Sequence, residues 1–170
     1  MVKVECELEN VMEETFENLD PGLLLTSVGK NEENNIMTIG WGLIGVLFRK
    51  PTFIVAVRKS RHTYKLLNET GVFTVNVPDE GMAKVLDFCG TKSGRDYDKF
   101  KEMNLTAKKG KTVEAPIIEE CMINFECKVM ATTDVTEANT TKDVLESVYP
   151  NKNFHRLYYG EITKIYGNEI

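Results

Sequence analysis

The chain has 170 residues, a formal net charge of −5, and 42% apolar and 28% charged residues, which together suit one soluble globular domain over 1–170 with a sizeable core. An acidic balance argues against general binding to nucleic acid or to an anionic membrane. No apolar run approaches a membrane span, and Met1-Val2-Lys3-Val4-Glu5 carries no signal-peptide core, so a cytoplasmic protein is expected. Cys6, Cys89, Cys121 and Cys127 form no C-x-x-C pair and the two histidines lie far apart, so reduced thiols and no metal site are expected.

In chain order, Leu8, Val11, Met12, Phe16 and Leu19 are spaced for one face of a helix that Asp20-Pro21-Gly22 breaks. Leu23 to Gly29 reads as a strand, Lys30 to Asn34 as a turn, and Asn35 to Trp41 as a second strand that completes a hairpin. Gly42 to Lys50 reads as a glycine-bearing loop closed by Pro51, and Phe53 to Val57 as a buried, β-branched strand. A helix follows to Thr70, with Gly71 as its C′ residue, and Val72 to Val77 is a further strand stopped by Pro78. Glu80 to Phe88 returns to a helical pattern, Cys89 to Arg95 is a loop with two glycines, and Asp96 caps a short helix through Phe100 and Met103. Ile123 to Val129 and Leu157 to Ile165 are late strands around an irregular, polar excursion from Thr132 to Asn153. This order of strands, short turns and interposed helices predicts a mainly antiparallel barrel with added helices, not a doubly wound parallel sheet.

The turn after the Phe53 strand stands out. Ser60 is placed to cap the helix, and around it stand Arg58, Lys59, Arg61 and His62. Cations at the positive end of a helix dipole are each disfavoured by roughly 0.3–1 kcal/mol when exposed. In an acidic chain this cluster is not spill-over from composition. A bound anion at the helix start, held by free N–H groups, the Ser60 and Thr63 hydroxyls and the guanidinium groups, accounts for it; a solvated basic turn is the competing reading.

Gly40-Trp41-Gly42-Leu43-Ile44-Gly45 matches the dinucleotide-binding G-x-G-x-x-G letter for letter. Its context fails. Pro51 leaves no room for the required helix, and no acid occurs between Glu33 and Glu69. What the glycines offer is close approach of backbone to a flat ring, or a tight loop with no ligand. Nor does any Ser-His-Asp or paired-carboxylate pattern emerge from spacing. The absence of a protein-borne acid–base apparatus points to a bound cofactor as the carrier of any chemistry.

Several segments together resemble the flavin reductase-like, or flavoredoxin-type, FMN-binding split-barrel family. Asn35-Ile36-Met37-Thr38-Ile39-Gly40-Trp41 resembles its N-x-M-T-x-x-W strand and loop; Arg58-Lys59-Ser60-Arg61-His62-Thr63 its R-K-S-R-x-T turn; and Phe73 to Pro78 its F-x-V-N-x-P strand. Cys89-Gly90, Ser93-Gly94-Arg95-Asp96 and Lys99-Phe100 resemble C-G-x-x-S-G-x-D-x-x-K-F, and His155 to Ile162 the closing H-x-L-x-x-G-x-I strand. The match runs from about Pro21 to Gly167 in register. The resemblance implies an FMN-binding split β-barrel and a homodimer with FMN near the interface. It also implies ring contacts from Asn35, Met37, Thr38, Ile39, Gly40 and Trp41, phosphate contacts from Arg58, Lys59, Ser60, Arg61 and Thr63, and further FMN contacts from Cys89, Lys92 and Ser93. His155 becomes a candidate beside the flavin or a nicotinamide. Two departures stand out: Glu32, Glu33 and Asn34 replace the usual turn glycine, and Lys152-Asn153-Phe154 replaces the common Gly-Asp before His155. The implied activity is an FMN-dependent redox protein taking electrons from NAD(P)H or a protein donor. The rival expectations are a non-enzymatic FMN-binding electron carrier and a binding module for another phosphorylated ligand.

Overall fold

In a computed structural model that describes residues 2–168, the strands are β1 (Lys3–Glu5), β2 (Leu23–Val28), β3 (Asn34–Ile39), β4 (Gly42–Leu47), β5 (Lys50–Arg58), β6 (Val72–Val77), β7 (Ala107–Lys108), β8 (Ile117–Ile118), β9 (Ile123–Asp134) and β10 (His155–Asn168). The helices are α1 (Met12–Glu17), α2 (His62–Thr70), α3 (Ala83–Thr91), α4 (Lys99–Glu102) and α5 (Lys142–Val148). Eight strands form one antiparallel sheet in the order β3-β2-β6-β9-β10-β5-β4, with β1 added against β10, while β7 and β8 pair separately. The two end strands of that path, β3 and β4, are consecutive in sequence and joined only by Gly40 and Trp41. So short a link forces the sheet to curl until its ends meet. They do not bond to each other, which leaves the barrel split and β3 with one unpaired edge.

Alternation along each strand sends one set of side chains inward. Leu23 and Leu25, Phe53, Val55 and Val57, Phe73, Val75 and Val77, and Ile123, Phe125 and Cys127 fill the barrel. Outside β2 and β3, a second cluster of Leu24, Ile36, Leu86, Cys89, Phe100 and Ile118 seats α3 and α4. The outer face of β9 is polar yet buried. Glu126 accepts from the backbone N–H groups of Lys111, Thr112 and Val113 and from the Tyr166 hydroxyl, and Asn124 bonds Asn76 Oδ1 and Ile118 O. A buried carboxylate with this many donors pins the 111–113 turn to the barrel wall.

Several sequence expectations are corrected. Gly42 to Lys50 is not a loop: β4 and β5 form a hairpin whose two turn residues, Phe48 and Arg49, sit at φ 54° and 61°. Neither is the Gly or Asn that such a turn favours, so the turn left no signal. The amphipathic stretch from Leu8 to Leu19 is not one helix but a 3₁₀ turn followed by the short α1, and Met12 and Phe16 stay exposed while Val11 is buried. The cap of α2 is Arg61, not Ser60, and the cap of α4 is Asp98, whose side chain accepts from Lys101 N, not Asp96. The excursion from Thr132 to Asn153 is ordered: β9 runs on to Asp134, a 3₁₀ turn covers Glu137–Asn139, and α5 follows. Gly71 does close α2 in the left-handed conformation, φ 68°, with its N–H on Leu67 O.

Candidate functional site

Strand β5 runs straight into α2, and the turn between them brings Arg58 to Thr63 against the unpaired edge of β3 and the end of α3. Two adjoining cavities result. The first, of about 110 Å³, lies at the N-terminus of α2 among Asn35, Ser60, Arg61, Thr63, Lys92 and Ser93, and also Arg95 and Lys99. The second, of about 230 Å³, is walled by Met37, Thr38, Ile39, Gly40 and Trp41 on one side and by Ala56, Arg58 and His155 on the other. Met37 and Arg61 line both, so the two are lobes of one site.

The first lobe is cationic. Arg61, Lys92, Arg95 and Lys99 all line it, and none of them is ion-paired among the described residues. The fold tolerates Arg61 at a helix start because its guanidinium donates to Gly90 O at 2.8 Å and Cys89 O at 3.3 Å, the carbonyl end of α3. Lys99 is buried, with Nζ on Ile36 O at 2.8 Å and Cys89 O at 2.9 Å. Burial, and the Arg61 charge beside it, pull its pKa down to about 8. Burial pushes the Cys89 thiol up to about 11, so it is neutral, and its backbone carbonyl does the bonding. Asn35 donates to Thr63 Oγ1 at 2.9 Å. Gly94 has no room for a side chain, since a Cβ there would strike Asn35 Oδ1 and stand 2.7 Å from its Cγ.

The second lobe suits a flat ring. The free edge of β3 presents alternating backbone donors and acceptors. Trp41 is half exposed and tilts over His155 with ring centroids 4.5 Å apart. His155 is buried rather than on the surface; burial, with the Arg58 charge, pulls its pKa down to about 4, so the ring is neutral at physiological pH.

Of the sequence-expected residues, all but two line these lobes. Lys59 turns away to an ion pair with Asp134 at 2.9 Å, and Cys89 lies behind the wall. Ser60 Oγ accepts from Asn153 Nδ2. Sequence reasoning missed Ala56, His62, Thr91, Gly94, Arg95 and Lys99 as lining residues, although all but Ala56 and Thr91 lie inside the blocks it quoted. Among the described residues no cluster of His, Cys, Asp or Glu could hold a metal ion, and no helix is long and apolar enough to cross a membrane.

A cationic pocket at a helix start joined to a flat slot along a sheet edge is the arrangement of a protein that binds a phosphorylated ring compound. Residues 20–170 match the model of the flavin reductase like domain, and the chain belongs to that family. Its split-barrel fold matches flavoredoxin from Methanosarcina acetivorans at 31% identity and TM-score 0.70, over 87% of this chain and 68% of that one. Flavoredoxin of Desulfovibrio vulgaris (Miyazaki F) matches at 25% identity and TM-score 0.69, over 87% and 69%. An FMN-binding domain of a flavin reductases-like enzyme from Shewanella baltica OS155, at 18% identity and TM-score 0.69 over 98% and 77%, shares the fold. The chain spans 55%, 60% and 66% of three curated relatives it matches. Family and neighbours together support a flavin-binding redox function.

Proposed function

We propose that the chain binds FMN across the two lobes and works as an FMN-dependent oxidoreductase fed by NAD(P)H or a protein donor. The observation that carries this is the unpaired cationic lobe at the start of α2 joined to the ring lobe along β3. Arg61, Lys92, Arg95 and Lys99 supply charge for the phosphate, and the Ser60 and Thr63 hydroxyls and the first N–H groups of α2 supply donors. Backbone groups from Met37 to Gly40 orient the ring, and Trp41 with His155 closes its open side to water. When bound, the flavin supplies the redox chemistry, accepting a hydride or electrons and passing them on.

The β4 edge supports a homodimer. Leu43, Val46 and Phe48 on the β4 hairpin are 65%, 76% and 62% exposed, and Leu43 lines with Trp41 a further cavity beside the ring lobe. The site is then completed near a second copy in a cytoplasmic protein with no nucleic-acid or membrane partner.

Titrating the purified protein with FMN, followed by flavin fluorescence and the visible spectrum, tests the reading. Tight binding with loss of fluorescence is expected; unchanged fluorescence refutes it. Adding NADH or NADPH to the loaded protein without oxygen then separates a reductase, which bleaches, from an electron carrier, which stays oxidised. A different phosphorylated ligand would appear in the mass spectrum of whatever denaturation releases.

A further inference from the structure

The segment between β9 and β10 places one side chain behind the ring lobe that ligand binding leaves without a task. Tyr149, just past the end of α5, is buried, and its hydroxyl lies 2.8 Å from Nδ1 of His155. The Arg58 guanidinium carbon stands 5.4 Å from its ring centre, and the Phe154 ring lies 5.0 Å away, so the phenol is wedged between them. His155 in turn is covered on one side by Trp41. Among the described residues Nε2 of His155 has no bonding partner, and it is not among the sealed, unpartnered atoms. His155 lines the ring lobe, and Nε2 is the ring nitrogen left to face its occupant.

We infer that Tyr149 is a positioning residue that fixes His155 as the Nε2–H tautomer, so that the imidazole offers one hydrogen-bond donor to the occupant of the ring lobe. A phenol has a single proton, and Nδ1 is the one acceptor its hydroxyl meets among the described residues. Were Nδ1 to carry the hydrogen, Tyr149 would accept it and leave its own proton buried without a partner. That penalty favours Nε2–H by roughly tenfold or more. Protonation of both nitrogens is opposed by burial and by Arg58, and burial also raises the Tyr149 pKa, which keeps the phenol a donor. The groups facing the imidazole are therefore Tyr149 past α5, Arg58 from β5 and Trp41 from the β3–β4 link, and among the described residues no carboxylate is a hydrogen-bond or ring partner that would draw the proton the other way. A fixed neutral donor suits a heteroaromatic ligand that brings a carbonyl or imine nitrogen to that wall. The nature of that ligand rests on the flavin reading; the tautomer does not.

The test is nitrogen-15 NMR of the histidine rings in the full chain, which has two histidines, with His62→Gln assigning the other signal. The expected wild-type pattern is a pyrrole-like Nε2 and an acceptor-type Nδ1, unchanged from neutral pH down to about pH 5. Tyr149→Phe should mix the tautomers and let the ring take up a proton at higher pH. A wild-type Nδ1–H, or an unchanged ratio in Tyr149→Phe, overturns the inference. Riboflavin titrations give a second readout: Tyr149→Phe should weaken binding several-fold, and His155→Gln, which returns an N–H near the Nε2 position, should recover much of what His155→Leu loses. Equal losses in His155→Gln and His155→Leu would refute the donor. If wild type binds no flavin at all, the functional reading fails while the NMR pattern still decides the tautomer.

Discussion

Replacing Gly94 by alanine tests whether the lobe at α2 is the phosphate seat. The new Cβ would collide with Asn35 Oδ1, with Asn35 Cγ 2.7 Å and His62 Cδ2 3.1 Å away. No escape route is cheap, because Asn35 is 4% exposed and held to Thr63 Oγ1 at 2.9 Å. The backbone at Gly94 does not need positive φ, so the effect is steric. Overpacking of this kind costs about 1–3 kcal/mol, and losing the Asn35–Thr63 bond about 0.5–1.5 kcal/mol more. Both residues line the cationic lobe, so the displacement falls on the ligand's anionic end. FMN affinity should fall roughly 10- to 100-fold, while riboflavin, which lacks the phosphate, should change by less than about threefold. Gly90→Ala is the control, since its Cβ would rest 3.4 Å from Thr38 Cβ in ordinary contact. Calorimetric or fluorescence titrations of the three proteins with both flavins decide the matter. Equal losses for FMN and riboflavin, or no loss for either, would refute the assignment.

Lys99 should make phosphate affinity fall as pH rises through about 8, because its charge is lost there; FMN should show the fall and riboflavin should not, and Lys99→Met should remove it. His155 is neutral in the fold down to about pH 4 but takes a proton near its ordinary value of about 6.5 when unfolded, so stability is complete above that value and declines as pH falls toward 4. The decline is at most about 3 kcal/mol, and urea titrations across that window should show it flattened in His155→Leu. Gly160→Ala would press a Cβ into the Phe73 ring, 2.7 Å from Cε1, and to 3.0 Å from Cys127 Cβ. A loss of about 1–3 kcal/mol should follow, read as a lowered melting temperature. Phe48→Glu on the β4 hairpin should leave a monomer in light scattering while the fold persists; a wild type that is already monomeric refutes the homodimer.

The parts of the fold legible in the sequence were those in which local pattern and tertiary demand agree. Phe53 to Val57 is β-branched and fully committed to the barrel interior at every second residue, and Gly71 is the residue a left-handed helix end requires. The basic turn was legible for an electrostatic reason: its charge contradicts the helix dipole, and such a conflict calls for a partner. Sequence alone could not reveal that α3 supplies part of that partner, because Cys89 and Gly90 carbonyls reach Arg61 only after the chain has folded across β3. The capping expectation failed at Ser60 through the same crowding. Its hydroxyl is engaged by Asn153, and the helix begins one residue later, after Arg61.

What stayed hidden follows a second rule. Phe48 and Arg49 make a tight turn with residues that rarely make one, so β4 passed for a loop although Gly42 approaches β5 closely enough that a Cβ there would meet Phe53 Cε1 at 3.0 Å. The 135–154 segment is polar; the Thr136–Asn139 capping box and the Lys152–Glu137 ion pair order it locally, and the rest of its order comes from contacts made at its ends. Asp134 holds Arg156 and Lys59, a guanidinium stands over Tyr149, and the Tyr149 hydroxyl meets His155. None of these has a period. A segment held largely at its ends reads as irregular in sequence, yet here it carries the group that orients the one imidazole of the ring lobe. Cutting the ion pairs of Asp134 at the start of this segment, by Asp134→Asn, should therefore loosen the tautomer at His155 without touching either lobe, and a His155 spectrum indifferent to that change would mean that Tyr149 is fixed by α5 alone.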